Sequence, residues 1–162
     1  MGILTMLLYH GSNMVVDAPR LILPQRLLDF GAGFYLTSDL EQAWRWANRT
    51  TMIRNKGSSA VSVFDFDEQN LARLDVLSFN SPNREWLRFV VDNRTGKSMP
   101  QYDIVHGPVA NDQTVRTIND FQNGYFSEEI ALQLLLPQKL KDQFAFKTEM
   151  ALKCLHFKEA LA

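Results

Sequence analysis

Residues 29–41 read Asp29-Phe-Gly-Ala-Gly-Phe-Tyr-Leu-Thr37-Ser-Asp-Leu-Glu41, and this stretch decides the fold class. Two glycines within three residues predict a tight turn that leads into a short strand over 34–37. Residues 38–41 have the spacing of a helix capping box, which predicts a helix running to about Asn55. A strand that passes directly into a helix indicates a chain in which both element types are interleaved.

The rest of the chain continues this interleaving of short apolar runs and capped amphipathic stretches. The runs predict further strands over 3–9, 59–66, 75–79, 102–106, 143–147 and 155–158. The amphipathic stretches predict a helical turn over 67–71 and helices over 85–93, 113–122, 128–136 and 148–154. Since no glycine-rich phosphate-binding motif follows a strand, the order favours a mixed α+β fold over a doubly wound nucleotide fold.

Composition limits the class of protein. The 162 residues predict one domain over 1–162, and 17 basic against 18 acidic residues give no general attraction to nucleic acid or anionic membranes. No apolar run approaches the ~20 residues of a membrane span. The first ten residues lack the basic region and cleavage site of a signal peptide, and the single cysteine excludes an internal disulfide. We therefore expect a reducing cytoplasm, without membrane contact.

Candidate catalytic groups are few. His10, His106 and His156 lie far apart and lack metal-ligand spacing, so no metal site is predicted. Cys154 is interpreted as a buried thiol. The segment Tyr9-His10-Gly11-Ser12 ends the first predicted strand, where a histidine followed by glycine lets a ligand approach the backbone. Tyr35, in the glycine-flanked second strand, offers a flat ring for stacking.

These two segments, with the helix carrying Ala43 and Trp46-Ala47, resemble the His and Tyr motifs of the H-Y-E class of ADP-ribosyltransferases. More closely, the chain resembles a bacterial domain-of-unknown-function family grouped with those enzymes. The similar stretches are 8–12, 29–47, 86–94, 102–111 and 143–155. The resemblance implies a split, mixed β-sheet core that holds NAD as co-substrate in a cleft.

The resemblance also implies roles for individual residues. His10 would hydrogen-bond a ribose hydroxyl of NAD, the backbone of Gly11 would pair with the nicotinamide carboxamide, and Tyr35 would stack on nicotinamide. Ser12 and Gly33 would adjoin the dinucleotide in the same motifs. The reaction would pass through an oxocarbenium-like ribose, as in glycoside cleavage.

The third catalytic position departs from the H-Y-E pattern. This position, at the front of a late strand, is often Glu, and here it is Gln143. A glutamine can hydrogen-bond a ribose hydroxyl, but it supplies neither negative charge nor a general base. The chain is therefore read as H-Y-Q, with the acceptor activated by another group. Asp142 is expected on the opposite face of the strand from Gln143, and Glu149 is explained by its place at a helix start.

Three more polar residues have two interpretations each. Asp29 is either a turn-forming residue or a functional residue, which contacts NAD or orients the Tyr35 strand. Asp103 sits in a predicted strand, where a hydrogen-bonded structural carboxylate is favoured over a site residue. Arg94 is either a bidentate donor to the NAD pyrophosphate or a solvated residue at a helix end. The basic residues Arg45, Arg49, Arg54 and Lys56 are interpreted as a solvated helix face rather than a nucleic-acid patch.

The leading hypothesis is an NAD-dependent mono-ADP-ribosyltransferase that modifies a macromolecule, protein or nucleic acid, with His10, Tyr35 and Gln143 as its triad. Bacterial members of such families often act as toxins, so the resemblance implies a role as the toxin of a toxin–antitoxin or phage-defence pair, which would be controlled by a separately encoded antitoxin. Two alternatives stay open: a module that binds NAD or ADP-ribose without transfer, and an NAD glycohydrolase.

Overall fold

A computed structural model describes residues 5–21, 28–97 and 99–162. The strands are β1 (Thr5–Ser12), β2 (Phe34–Leu36), β3 (Ala60–Asp67), β4 (Val76–Ser78), β5 (Ile104–Pro108), β6 (Asp142–Phe146) and β7 (Leu155–Leu161). The helices are α1 (Leu40–Arg54), α2 (Arg84–Arg94), α3 (Asp112–Gln122), α4 (Glu128–Leu135) and α5 (Glu149–Leu152), with a 3₁₀ turn at Glu68–Ala72. The predicted mixed α+β class is confirmed.

The strands of the described residues form two sheets. Sheet A has the order β1-β3-β7 and is antiparallel, whereas sheet B has the order β2-β6-β5-β4, with β4 and β5 parallel. One isolated antiparallel bridge connects the sheets: Tyr9 N donates to Thr37 O at 2.8 Å, and Thr37 N donates to Tyr9 O at 2.9 Å. Beyond this bridge β1 and β2 separate.

Apolar side chains from both sheets form a shared core. Leu8, Phe64 and Phe66 of sheet A belong to one buried cluster with the aromatic residues of sheet B, and the rings of Phe66 and Phe146 meet edge to face at 5.4 Å. Edge-to-face contacts of this kind add stability beyond the buried area. This core fixes the two sheets against each other and so positions their polar margins.

Helices cover the outer surfaces of the two sheets. Ala43 of α1 packs with Val61 and Val63 of sheet A, while Trp86 of α2 and Ile118 of α3 belong to a larger cluster on sheet B. Each helix begins where the sequence offers a short polar cap. The caps are Asp39, Asn83, Asn111, Ser127 and Thr148, and in each case the side chain accepts a backbone N–H of the first turn.

Several predicted boundaries were wrong, among them the end of the last strand, which lies at Leu161 and not at 158. The first strand continues through His10 to Ser12, because β3 pairs with it over that whole length. The fifth strand likewise includes Gly107 and Pro108, which lie opposite β6. Helix α1 is capped by Asp39 and not by Ser38, since the Ser38 hydroxyl donates to Asp142 instead. Residues 3–4 of the first predicted strand lie outside the described residues.

No helix in the described part of the chain is both long enough and apolar enough to cross a membrane.

Candidate functional site

The predicted catalytic histidine lies where β1 and β2 separate. The Nδ1 atom of His10 is 2.7 Å from the carbonyl oxygen of Tyr35, and the imidazole stacks on Phe34 with 4.1 Å between ring centroids. A carbonyl oxygen only accepts hydrogen bonds, so Nδ1 carries the proton. The side chain of His10 therefore reaches from β1 to the backbone of β2.

Electrostatics keep this imidazole neutral. Burial lowers the pKa of His10 to about 4; the bond to Tyr35 acts in the opposite direction, and the charge of Arg54 lowers the pKa further. In the neutral ring with a protonated Nδ1, the Nε2 atom has a free lone pair. No described residue hydrogen-bonds to Nε2, so this atom can accept a hydrogen bond from a ligand hydroxyl.

Gly11 matters in two ways: its backbone N–H and C=O face β2, and the absence of a Cβ leaves room for α1. Tyr9 directs its N–H and C=O toward β2, and in an antiparallel strand Gly11 directs its own toward the same side. No described backbone hydrogen bond joins Gly11 to β2. A Cβ on Gly11 would lie 1.9 Å from the carbonyl oxygen of Ala43. The glycine therefore lets α1 pack on β1, whereas the sequence interpretation attributed it to ligand access.

The hydroxyl of Tyr35 holds the turn before β2. It donates to Gly31 O at 2.6 Å and accepts from Phe30 N at 3.1 Å. Burial is the largest of the effects that raise the pKa of this phenol, so the hydroxyl stays protonated. Gly31 adopts a φ of 79° in this turn, a conformation that suits glycine. The ring of Tyr35 is half-buried against the helical side of sheet B.

Gln143 lies on the same face of sheet B as Tyr35. Tyr35 is opposite Ala145, and Gln143 is two residues along the same strand, so the two side chains are diagonal neighbours. Gln143 is only 4% exposed, and its Nε2 donates to Pro108 O at 3.3 Å. The same carbonyl accepts from Trp86 Nε1 at 3.1 Å. The amide of Gln143 is therefore anchored to the protein and not extended into solvent.

Asp142 is on the opposite face, as the strand alternation predicts. Its carboxylate accepts from Ser38 N and Oγ, from Thr37 Oγ1 and from His106 Nε2, the last at 3.1 Å. Burial raises its pKa, but the hydrogen bonds from His106 and Ser38 prevail and lower it to about 2. The side chain therefore ties β6 to the turn between β2 and α1, outside the Tyr35–Gln143 face.

The two charged candidates Asp29 and Arg94 neutralise each other. Arg94 Nε donates to Asp29 Oδ1 at 2.7 Å, and the two side chains are 18% and 19% exposed. Arg94 Nη1 also donates to Asn119. The same loop is held by Lys147, whose Nζ donates to the carbonyls of Phe30 and Ala32 at 2.5 and 2.7 Å. Asp29 and Arg94 thus fix the loop before Tyr35. Arg94 is therefore not the solvated helix-end residue of one sequence interpretation, and Asp29 is placed to orient the Tyr35 strand.

Other candidates have structural contacts as well. Asp103 accepts from Thr148 Oγ1 at 2.6 Å and from Asp75 N at 2.8 Å, in agreement with the favoured structural interpretation. Glu149 lies in the first turn of α5. A Cβ on Gly33 would approach Phe146 O to 3.0 Å, so this glycine lets β2 start close to β6.

Sequence reasoning missed a contact made just after His10 in the chain. Ser12 and Asn13 are each 7% exposed, and Asn13 Oδ1 accepts from Ser12 Oγ at 3.3 Å and from Arg54 Nη1 at 2.9 Å. Arg54 was interpreted only as part of a solvated helix face. Its position at the last turn of α1 gave no signal of this contact, which joins residues 41 positions apart.

A cavity of about 320 Å³ lies elsewhere, beside α5 and the start of β7. Its lining comprises Asn70, Arg73, Leu74, Met150, Lys153, Cys154 and His156. Cys154 is half-buried there, and burial raises the pKa of its thiol. None of the predicted catalytic residues lines this cavity. Among the described residues, no group of three or more His, Cys, Asp or Glu side chains could hold a metal ion.

The protein is therefore of the mixed α+β class, and within its described residues two sheets meet at one isolated bridge beside a neutral histidine. The chain belongs to the family described as "Protein of unknown function (DUF3990)", whose sequence model matches residues 6–157. No curated protein and no solved structure matches the chain.

Proposed function

We propose that this protein is a mono-ADP-ribosyltransferase with an ADP-ribosyltransferase-like split-sheet fold, which uses NAD as co-substrate. The observation that carries the proposal is the neutral His10 at the separation of β1 and β2, with Nδ1 bound to Tyr35 O and Nε2 available as an acceptor. A ribose hydroxyl is a donor that this nitrogen suits. The H-Y-Q resemblance is independent support.

The backbone of Gly11 supports the same ligand. A primary carboxamide presents one N–H donor side and one C=O acceptor, which matches the N–H and C=O of a strand residue. Gly11 directs both groups into the gap beside β2. Nicotinamide would bind there with its ring near Tyr35, whose turn is fixed by its own hydroxyl.

In the proposed reaction the C–N bond between ribose and nicotinamide breaks, and its electron pair leaves with nicotinamide. A nucleophilic atom of the acceptor then bonds to the ribose carbon and loses a proton. Gln143 would orient a ribose hydroxyl but cannot take that proton, because an amide is not a base. The acceptor must therefore be a nucleophile already deprotonated or activated by another group.

Burial of Gln143 favours a second candidate function. With its amide donating to Pro108 O and no carboxylate on the Tyr35 face of β6, the site can hold NAD or ADP-ribose without transferring it. An NAD glycohydrolase, with water as the acceptor, needs the same site and no macromolecular partner.

The proposed acceptor is a protein or nucleic acid in a bacterial cytoplasm. On the resemblance, the enzyme would act as the toxin of a toxin–antitoxin or phage-defence pair. Its partner would then be a separately encoded antitoxin that covers the site or reverses the modification.

Labelled NAD tests these functions together. The full chain is incubated with adenine-labelled NAD and bacterial lysate, and nicotinamide release and label on nuclease- or protease-sensitive material are measured. We expect release with retained label, reduced about a hundredfold in His10→Ala by loss of substrate positioning. His156→Ala is the matched control, because His156 is exposed on β7 and remote from the gap.

The other outcomes separate the alternatives. Free ADP-ribose without retained label indicates a hydrolase, and saturable NAD binding without nicotinamide release indicates a binding module. Transfer that is equal in wild type, His10→Ala and His156→Ala would refute the site, and absence of any NAD binding would refute all three functions.

A further inference from the structure

The end of β1 carries a second group that no predicted role uses. Asn13, directly after β1, holds the guanidinium of Arg54 by a 2.9 Å bond from Nη1 to its Oδ1. Asn13 is 7% exposed, whereas Arg54 is exposed. A buried amide therefore fixes one end of a solvent-facing cation three residues beyond His10.

This arrangement is built from several bonds. Asn13 Nδ2 donates to Lys56 O at 3.0 Å, and Ser58 N donates to Asn13 O at 3.1 Å. The turn after α1 is thereby fastened to the end of β1, and Arg54 is the last residue of that helix. A basic residue at a helix C-terminus is ordinarily explained by the helix dipole. Here the side chain also bridges to another element.

The positive charge of Arg54 is not neutralised within the described residues. The ion pairs of the described chain use other cations, among them Arg45 with Glu41 on the same helix and Arg94 with Asp29. Among the described residues Arg54 bonds a neutral amide alone, so most of its five N–H donors are not used by the described part of the chain. A planar guanidinium suits phosphate oxygens in particular.

His10 and Arg54 together select one class of ligand. His10 Nε2 accepts from a hydroxyl, and Arg54 donates to an anion; a sugar phosphate carries both groups on one molecule. We propose that Arg54, positioned by Asn13, binds the pyrophosphate of the dinucleotide whose ribose hydroxyl is held by His10. This inference rests on the proposed use of NAD, and it assigns to Arg54 the role that the sequence offered to Arg94.

The electrostatic effect on His10 agrees with this placement. Burial is the main cause of the low pKa of His10, and the charge of Arg54 contributes to it. The positive charge of Arg54 therefore disfavours protonation of the imidazole. Burial and this charge together keep the imidazole neutral and so preserve the lone pair that a ribose hydroxyl requires.

The test is the affinity of the full-length protein for NAD and ADP-ribose, measured by calorimetry. In Arg54→Ala we expect both dissociation constants to rise about tenfold or more, as for the loss of a charge-assisted hydrogen bond. The dissociation constants of Arg54→Lys should lie between those of wild type and Arg54→Ala, because the charge stays and the planar guanidinium is lost. Arg49→Ala, on the same helix and exposed, is the matched control and should bind as wild type does.

Nicotinamide riboside, which has the ribose but no pyrophosphate, separates the two parts of the ligand. Its affinity should be equal in wild type and Arg54→Ala. If the wild-type protein binds NAD, and Arg54→Ala and Arg49→Ala bind NAD with the same affinity as wild type, this inference is overturned and the proposed function stays intact. An equal loss for the riboside would also overturn it, and absence of NAD and ADP-ribose binding by the wild type would overturn both.

Discussion

Polar side chains meet both at the loop 29–33 before β2 and at the segment 10–13 at the end of β1, but they are used differently at the two places. At the loop, the polar side chains bond to other protein groups. Arg94 bonds to the side chain of Asp29, and Lys147 and Tyr35 bond to carbonyl oxygens of the loop backbone. At the segment, no described residue bonds to Nε2 of His10 or forms an ion pair with Arg54. Polar groups whose hydrogen bonds are all made to protein stabilise the structure, whereas groups with unused donors or acceptors are suited to bind a ligand.

Gly11→Ala is expected to have the largest effect on stability of the substitutions considered for these two regions. The new Cβ would lie 1.9 Å from Ala43 O, so α1 must shift away from β1. We expect a loss of about 3 kcal/mol in the free energy of unfolding, the upper part of the overpacking range. Urea titration measures it. A stability equal to that of wild type would mean that Gly11 serves ligand access and not packing.

Arg94→Met tests the loop. It leaves the Asp29 carboxylate, 19% exposed, without its partner, and we expect a loss of about 2 kcal/mol of stability, less than for a fully buried pair. NAD affinity of the folded protein should be unchanged. If stability holds and NAD affinity falls, Arg94 is the phosphate-binding cation and the contrast between the two regions is wrong.

Acidification tests the segment. The pKa of His10 is about 4 in the folded protein against 6.5 ordinarily, so the unfolded chain binds this proton more readily. The contribution of His10 to the free energy of unfolding is therefore fully present above about pH 6.5 and is lost as the pH falls toward 4. Between pH 7 and pH 5 we expect the free energy of unfolding to fall by roughly 1–2 kcal/mol. Urea titrations at both pH values measure the loss.

NMR titration of the three histidines provides the control for that measurement. Asp142, with a pKa of about 2, stays ionised throughout the same interval and adds nothing to it. An imidazole of His10 that titrates near 6.5 would show a solvated ring and remove the contrast.

Tyr35→Phe has the smallest expected effect. It removes the hydroxyl bonded to Gly31 O and Phe30 N but retains the ring, so we expect about 1 kcal/mol of lost stability. Nicotinamide release should stay within about twofold of wild type if the ring alone serves stacking. A collapse of turnover with unchanged stability would assign the hydroxyl to the reaction.

Local signals in the sequence predicted most elements, because their causes lie within a few residues. Helix α4 begins after Ser127, whose side chain accepts from Ile130 N, and it ends before Pro137. Signals failed where a distant partner intervened. Ser38 has the spacing of a cap, yet its hydroxyl bonds Asp142, 104 positions away.

The candidate site shows the same limit. The sequence identified the site near the end of β1 because its motif, a histidine followed by glycine, consists of adjacent residues. The pairing of Arg94 with Asp29, 65 positions apart, and the contact of Arg54 with Asn13 depend on tertiary packing. Which arginine is neutralised could therefore not be determined from charge and spacing alone.

Sheet A joins segments from distant parts of the chain: β1 at Thr5–Ser12 pairs with β3 at Ala60–Asp67, and β3 pairs with β7 at Leu155–Leu161. Contacts so far apart in sequence form late and slowly. During translation, β3 therefore keeps an unpaired edge until residue 161 has left the ribosome. Each nascent molecule thus has a period in which that edge is open to misassembly or to capture by another polypeptide.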